Sequence, residues 1–320
     1  MAGVSRRYRK EIKKMDILIV GTGALAVLFA ARLARAGQNI TLLGTWQSGL
    51  KALKQKGARL VDEIGIEQSY SVQVTDNPHD CADVKHAIVL VKSWQTERVA
   101  RQLAVCLAGD GIALTLQNGL GNREILAERL GVDRVLLGTT TTGATLLGPG
   151  LVKSGGEGLL SIETHPAVGV LVEALKTANF KVEIVDNASS LVWGKLIINA
   201  SINPLTALLR VSNGDLLKSP SARTLMRALA EETAAVACSE NVNLPFDNPA
   251  ALVEEVARKT GTNHSSMFQD IKRGAPTEID AICGAVTRAG QKHNVPTPIN
   301  RACWQLVQAL VQTSEKGNPA

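Results

Sequence analysis

The chain is expected to adopt an α/β fold in two parts, a parallel sheet wrapped by helices followed by an all-helical (all-α) C-terminal domain. Three observations lead there. From Met15 to about Val185 short β-branched apolar runs alternate with helical patterns. From Ala188 onward helical periodicity dominates and β-rich runs nearly vanish. The length of 320 residues also exceeds what one ordinary hydrophobic core organises. The divisions that follow are a basic tail over 1–14, a sheet domain over 15–187 and a helical domain over 188–320.

Taken in order, the clearest strands are Ile17 to Val20, Ile40 to Leu43, Ala87 to Val91, Ile112 to Leu116 and Arg134 to Leu137. The Thr- and Gly-rich stretch Thr139 to Ser161, with Gly148-Pro149-Gly150 and Gly155-Gly156, predicts turns and an extra β segment closing this unit. Lys181 to Val185 is the last predicted strand. Past Asp186-Asn187, helices are predicted at about Ser189 to Leu209, Ser221 to Asn241, Asn248 to Lys259, Thr277 to His293 and Ile299 to Thr313. Pro245, Pro276, Pro296 and Pro298 mark the breaks.

The formal charge of +6 does not describe the folded body, because Arg6, Arg7, Arg9, Lys10, Lys13 and Lys14 stand against Glu11 alone in the tail. That tail holds +5 of the +6, leaving about +1 and no basic face for a phosphate backbone, so nucleic acid is not an expected partner. Ser5-Arg6-Arg7 ahead of the apolar run Ile17 to Ala31 imitates an export signal, but cleavage there would discard a glycine turn that the run explains better. No stretch reads as a membrane span. The five cysteines, Cys81, Cys106, Cys238, Cys283 and Cys303, are widely spaced, and the histidines show no ligand spacing. Reduced thiols, no metal and a cytoplasmic protein are expected.

Gly21-Thr22-Gly23-Ala24-Leu25-Ala26 follows the first strand and runs into an Ala-rich helix that Gly37 ends. In that context the motif reads as a Rossmann dinucleotide turn. Gly21 permits the tight turn, Gly23 lets a pyrophosphate approach, and Ala26 stands for the third glycine at the helix–strand contact. The free amides and positive dipole end of the helix attract the phosphates. The acidic residue that would hold the ribose 2′-hydroxyl of NAD is missing. Thr45-Trp46-Gln47, with Lys51 beyond, tolerates a 2′-phosphate better, so NADP (as NADPH) is favoured and NAD is not excluded.

A second feature carries chemistry. In Trp193-Gly194-Lys195-Leu196-Ile197-Ile198-Asn199-Ala200-Ser201-Ile202-Asn203-Pro204, Lys195, Asn199 and Asn203 recur every four residues. Each step drifts by roughly 40°, so one cation and two amides share a stripe on an apolar helix. An unpaired neutral polar group in such surroundings costs roughly 1 to 3 kcal/mol, which a ligand could offset. Bonding between helices is the competing explanation.

This segment resembles the hallmark of the ketopantoate reductase (2-dehydropantoate 2-reductase) family. Other blocks of that family follow in order: the turn Gly21 to Ala26, Val91-Lys92-Ser93-Trp94-Gln95, Gln117-Asn118-Gly119, Asn213-Gly214, Asn263 to Asp270, and Thr277-Glu278-Ile279-Asp280. The resemblance spans roughly Met15 to Thr313. It implies that Lys195 donates a proton to a substrate carbonyl and that Glu278 orients Lys195 or the substrate hydroxyl. Asn118, Asn199, Asn203, Asn213 and Ser266 would line the substrate pocket, with Lys92 and Asn118 beside the cofactor. Thr45 falls where the family often has an arginine for the 2′-phosphate, a departure that bears on nucleotide choice. The implied activity is reduction of a small 2-keto acid, ketopantoate, to its alcohol as a step of pantothenate biosynthesis, by a monomer or homodimer. Capping explains some of these residues equally well: Ser266 with Gln269 as a capping box, Thr277 as a cap, Asn213-Gly214 as a turn. A related dehydrogenase for another 2-keto or 3-hydroxy acid, or a silent nucleotide binder, are the other readings.

Overall fold

The structure is a computed structural model that describes residues 14–62 and 64–315. The basic tail and the export-signal reading of it therefore lie outside the described residues, Lys14 excepted. The first half runs β1 (Asp16–Val20), α1 (Ala24–Arg35), β2 (Asn39–Leu43), α2 (Gln47–Lys56), β3 (Ala58–Val61), β4 (Glu67–Tyr70), β5 (Gln73–Thr75), β6 (Val84–Val89), α3 (Thr96–Cys106), β7 (Leu107–Thr115), α4 (Asn122–Leu130) and β8 (Val135–Thr140). It continues through β9 (Ala144–Gly148), β10 (Leu151–Ser154), β11 (Leu159–Glu163), α5 (Gly169–Thr177) and β12 (Lys181–Val185). The second half is α6 (Ser189–Leu209), α7 (Pro220–Ser239), α8 (Pro249–Lys259), α9 (Ser266–Lys272), a π-turn at Asp280–Gly284, α10 (Ala285–Lys292) and α11 (Pro298–Glu315).

The main sheet has the order β12-β11-β8-β7-β6-β1-β2-β5. From β8 to β5 all neighbours are parallel, while β11 runs antiparallel to β8, so the sheet is mixed rather than wholly parallel. β1 is central, and Ile17 to Val20 are buried, as expected of a strand covered on both faces. The chain goes from β1 to β2 on one side and later places β6 on the other. That leaves a crevice at the carboxyl ends of β1 and β6, where such sheets bind ligands. A second sheet, β4-β3-β10-β9, packs on α1 through Leu60 and Val152. Its strands have only four or five residues, and β4 is polar except for Tyr70, so no long alternation announces them.

The helices build their own core around Trp193, Ile197, Met226, Leu229, Val253 and Val286, separate from the clusters on the two faces of the sheet. α6 is the axis of this half. Pro204 cannot donate to the carbonyl of Ala200, and the Cys283 thiol donates to it instead at 3.8 Å. The helix predicted from Thr277 begins three residues later, as the π-turn at Asp280, and no side chain caps it, so Thr277 is not the cap. The extra residue in that turn exposes the Ala281 carbonyl, which accepts the Leu120 N–H at 2.9 Å. Gly119, with φ +84°, lies so close that a Cβ would collide with the same carbonyl. This contact docks the loop after β7 onto the segment that carries Glu278.

Candidate active site

The glycine turn sits at the crevice. The Gly21 N–H donates to the Leu43 carbonyl at 2.8 Å, and its φ of +128° excludes most side chains. Thr22 is buried against Gly44, where a Cβ would come within 2.7 Å of the threonine methyl. Ala26 is fully buried in the helix–strand contact. At Gly23, by contrast, an added Cβ meets nothing within 4 Å, so the space above the first turn of α1 is open. No side chain caps α1 and no acidic residue lies in its first turn; Ala24 and Leu25 contribute free first-turn amides. An open cradle of unpaired amides fits a pyrophosphate. Thr45 is exposed at the end of β2, and the Gln47 amide beyond it donates to Asp76 at 3.0 Å.

A charged cluster lies where the two halves meet. The Lys92 ammonium, just past β6, is 2.7 Å from Asp270 Oδ2 on α9 and 3.5 Å from Glu278 Oε2. Burial opposes the charge on Lys92, but Glu278 and Asp270 together more than offset it and raise its pKa. Glu278 Oε1 accepts the Ser93 N–H at 3.1 Å, and Oε2 accepts the Asn118 amide at 3.2 Å. Asp270 Oδ1 accepts from Arg273 at 2.8 Å. Glu278 and Asp270 are both buried, which is tolerable because every carboxylate oxygen has a partner.

Lys195, on the second turn of α6, donates to the Thr140 carbonyl at the end of β8, at 2.7 Å. Burial holds its pKa down to about 8, with the Glu278 charge acting the other way. The ammonium is thus close to releasing its proton near neutrality. Farther along the stripe the side-chain amides of Asn199 and Asn203 make no hydrogen bond with a described residue. Where the helix hydroxyls are concerned, Thr206 donates to Ser265 at 2.7 Å, which brings the start of α9 against this face.

The structure thus joins Lys92, Asn118 and Glu278 directly and brings Lys195 within reach of the Glu278 charge. Glu278 acts on Lys195 through its charge and not through a direct hydrogen bond, its oxygens being taken by Lys92, Ser93 and Asn118. One expectation needs correcting. The cap of α9 is Ser265, which accepts the Phe268 N–H at 3.1 Å, and not Ser266, which is exposed. Gln269 donates to the His264 carbonyl and closes no capping box. Asn213 is buried, its amide donating to Thr260 at 2.8 Å and its backbone N–H to Asn263 at 3.0 Å, while its Oδ1 has no partner. It fastens a loop near the far end of α6 and, among the described residues, shares no hydrogen bond with the charged cluster.

Sequence reasoning missed Asp270, the Ser93 N–H and the Thr140 carbonyl. Asp270 ends the block Asn263 to Asp270, but its partner Lys92 is 178 residues away in the chain and no local pattern links them. Backbone groups leave no mark in side-chain patterns. Among the described residues no group of three or more His, Cys, Asp or Glu could hold a metal, and no helix is long and apolar enough to cross a membrane.

Comparison with known proteins covers nearly the whole chain. Residues 17–167 match the family described as ketopantoate reductase PanE/ApbA, and residues 187–311 match its C-terminal domain. A 2-dehydropantoate 2-reductase of Archaeoglobus fulgidus is 36% identical over 299 residues, covering 92% of this chain and 97% of that protein. One from Halobacterium salinarum is 33% identical over 299 residues, covering 92% and 98%. Among solved structures, a PanE/ApbA family ketopantoate reductase from Ralstonia eutropha superposes with a TM-score of 0.88 at 30% identity, over 94% of this chain and 100% of that one. The ternary structure of a D-mandelate dehydrogenase with NADH and anilino(oxo)acetate also reaches 0.88, at 27% identity, over 93% and 99%. With an open glycine turn at the end of the first strand, a partly buried lysine on the helical half bonded to the end of β8, and relatives matching both halves in order, the chain belongs to the ketopantoate reductase family.

Proposed function

We propose that the chain reduces 2-dehydropantoate to pantoate with NADPH, in the cytoplasm, as a step of pantothenate biosynthesis. The observation that carries this reading is the partly buried Lys195 at the head of an amide stripe, its amine held on the Thr140 carbonyl and subject to the charge of Glu278. Residues 15–187 form the nucleotide-binding domain in this reading and 188–320 the helical substrate domain; the separate cores support the division.

Gly21 to Ala26 would hold the pyrophosphate, Thr45 the adenosine ribose, and Lys92 and Asn118 the nicotinamide end. When bound, the nicotinamide supplies a hydride to the 2-keto carbon. The rest falls to the protein. Below a pH of about 8 Lys195 is an ammonium, able to stabilise charge on the ketone oxygen and to give it a proton. Asn199 and Asn203, neutral and with side-chain amides unpaired among the described residues, offer directional bonds without a second fixed charge; Ser266 is exposed at the start of α9, and Asn213 would contribute only through its unpartnered Oδ1. Glu278, anchored to Ser93 and Asn118, holds its negative charge near Lys195 and favours the ammonium.

The test is oxidation of NADPH and of NADH in the presence of ketopantoate and a panel of other 2-keto acids. The proposal expects NADPH with ketopantoate to be preferred. A second reading, a dehydrogenase for a bulkier 2-keto acid using NADH, draws support from the relative solved with NADH and an aryl-substituted oxo acid, and from Thr45 in place of an arginine. Preference for NADH and an aryl 2-keto acid in the same panel would select it. NADPH binding without oxidation would select a silent nucleotide binder.

A further inference from the structure

The Lys92 cation is shared unequally. It lies 2.7 Å from Asp270 and 3.5 Å from Glu278, although of the two carboxylates only Glu278 is also bonded to Ser93 and Asn118. Asp270 is one of the most buried charged groups of the described chain, at 2% exposure, and it belongs to α9, an element whose capping hydroxyl is bonded to α6. A carboxylate this deep needs a role or a full set of partners, and Asp270 has partners on both oxygens, Lys92 and Arg273.

We propose that Asp270 is a positioning residue for the reduction: by taking the Lys92 ammonium it leaves the Glu278 carboxylate as the anion that faces Lys195. The inference rests on the reading of Lys195 as proton donor. The charged groups assembled here are Lys92 from the sheet side, Asp270 and Arg273 from α9, Glu278 from the segment before the π-turn, and Lys195 from α6. With Arg273 half-exposed and its charge screened by solvent, the two buried carboxylates stand against Lys92 alone, and the interior cluster is balanced when Lys195 is protonated. Removing the Asp270 charge lets Lys92 close fully on Glu278. One negative charge then disappears from the surroundings of Lys195, and its ammonium gives up its proton at lower pH. Removing the Lys92 charge acts in the opposite sense.

Asp270→Asn, Asp270→Glu and Lys92→Met would be compared with the unaltered protein by two measurements. The first is the pH at which Lys195 becomes half-reactive to acetic anhydride in nucleotide-free protein, read by peptide mass spectrometry. The second is the alkaline limb of kcat/KM. Asp270→Asn should lower both midpoints by roughly half a unit, less than the 1 to 3 units of a directly adjacent charge, or about threefold in kcat/KM above the limb. Asp270→Glu should restore them, and Lys92→Met should raise the labelling midpoint. A lowered melting temperature with unmoved midpoints would make Asp270 merely structural and overturn the proposal. Should circular dichroism show Asp270→Asn unfolded, Lys92→Met decides: a labelling midpoint unchanged or lowered refutes it. Absence of NADPH oxidation by the unaltered protein with every 2-keto acid would count against the proposed function instead, because the labelling midpoints need no turnover.

Discussion

Two glycines, ninety-six residues apart by number, show how differently the two ends of the crevice are made. Around Gly23 nothing lies within 4 Å of where a Cβ would stand, and the surrounding groups are backbone amides of a single turn. Around Gly119 there is no room at all, since the Ala281 carbonyl fills the position and the next N–H is bonded to it. The first glycine leaves open the space in which the proposed nucleotide would lie. The second lets two halves of the protein touch, and with that contact come Asn118 and Glu278. The cradle is a local structure awaiting its partner, whereas the junction is a tertiary one whose carboxylates already have theirs.

Substitutions can break or sharpen that contrast. The largest effect is expected from Lys195→Ala, which should lower kcat/KM roughly 10²- to 10⁴-fold, about 3 to 5 kcal/mol of barrier, while nucleotide affinity changes little. Steady-state kinetics beside a titration of NADPH fluorescence would check it; a parallel loss of affinity would mean that the two regions are not separable. Gly119→Ala comes next. A φ of +84° and the Ala281 carbonyl both oppose the methyl, so a loss of about 2 to 3 kcal/mol in denaturant unfolding is expected, together with lower turnover as Glu278 shifts.

Gly23→Val should do the reverse, with a melting temperature near that of the unaltered protein and nucleotide affinity weaker by roughly tenfold or more, about 1.4 kcal/mol per decade. Equal destabilisation by the two substitutions would erase the distinction drawn between them.

A smaller effect concerns the charge on Lys195. Its pKa falls from 10.5 to about 8 on folding, so at pH 7 both folded and unfolded chains carry the proton and the folded state bears the full penalty of the buried charge. As pH rises from about 8 towards 10.5 the folded amine is neutral while the unfolded one stays charged, and the penalty fades. Lys195→Met should therefore stabilise the inactive protein at pH 7 by on the order of 1 to 3 kcal/mol, with the gain shrinking above pH 8. For the same reason kcat/KM of the unaltered enzyme should fall above a pH of about 8, where Lys195 loses the proton it donates. A gain that grows with pH, or an alkaline limb displaced by two units, would contradict the burial of that amine.

Much was legible before any coordinates. The bounds Ser189 to Leu209 and Lys181 to Val185 coincide with α6 and β12, because long apolar periodicity and a short β-branched run are strong local signals. The glycine turn was equally plain, since its geometry is a property of six consecutive residues. The extra β segment expected within Thr139 to Ser161 supplies β9 and β10, but β3, β4 and α9 were not foreseen: strands of four residues and a helix of seven owe their structure to what they pack against.

The amino-acid order alone determined the cradle and the stripe on α6, for both are written in spacings of one to four residues along the backbone. Only the tertiary structure decided that Lys92 belongs to Asp270 more than to Glu278, and that Lys195 rests on the Thr140 carbonyl rather than on a carboxylate. Those partners are 178, 186 and 55 residues apart in the chain. No periodicity reaches so far, and which oxygen a buried ammonium prefers is settled by packing to within an ångström.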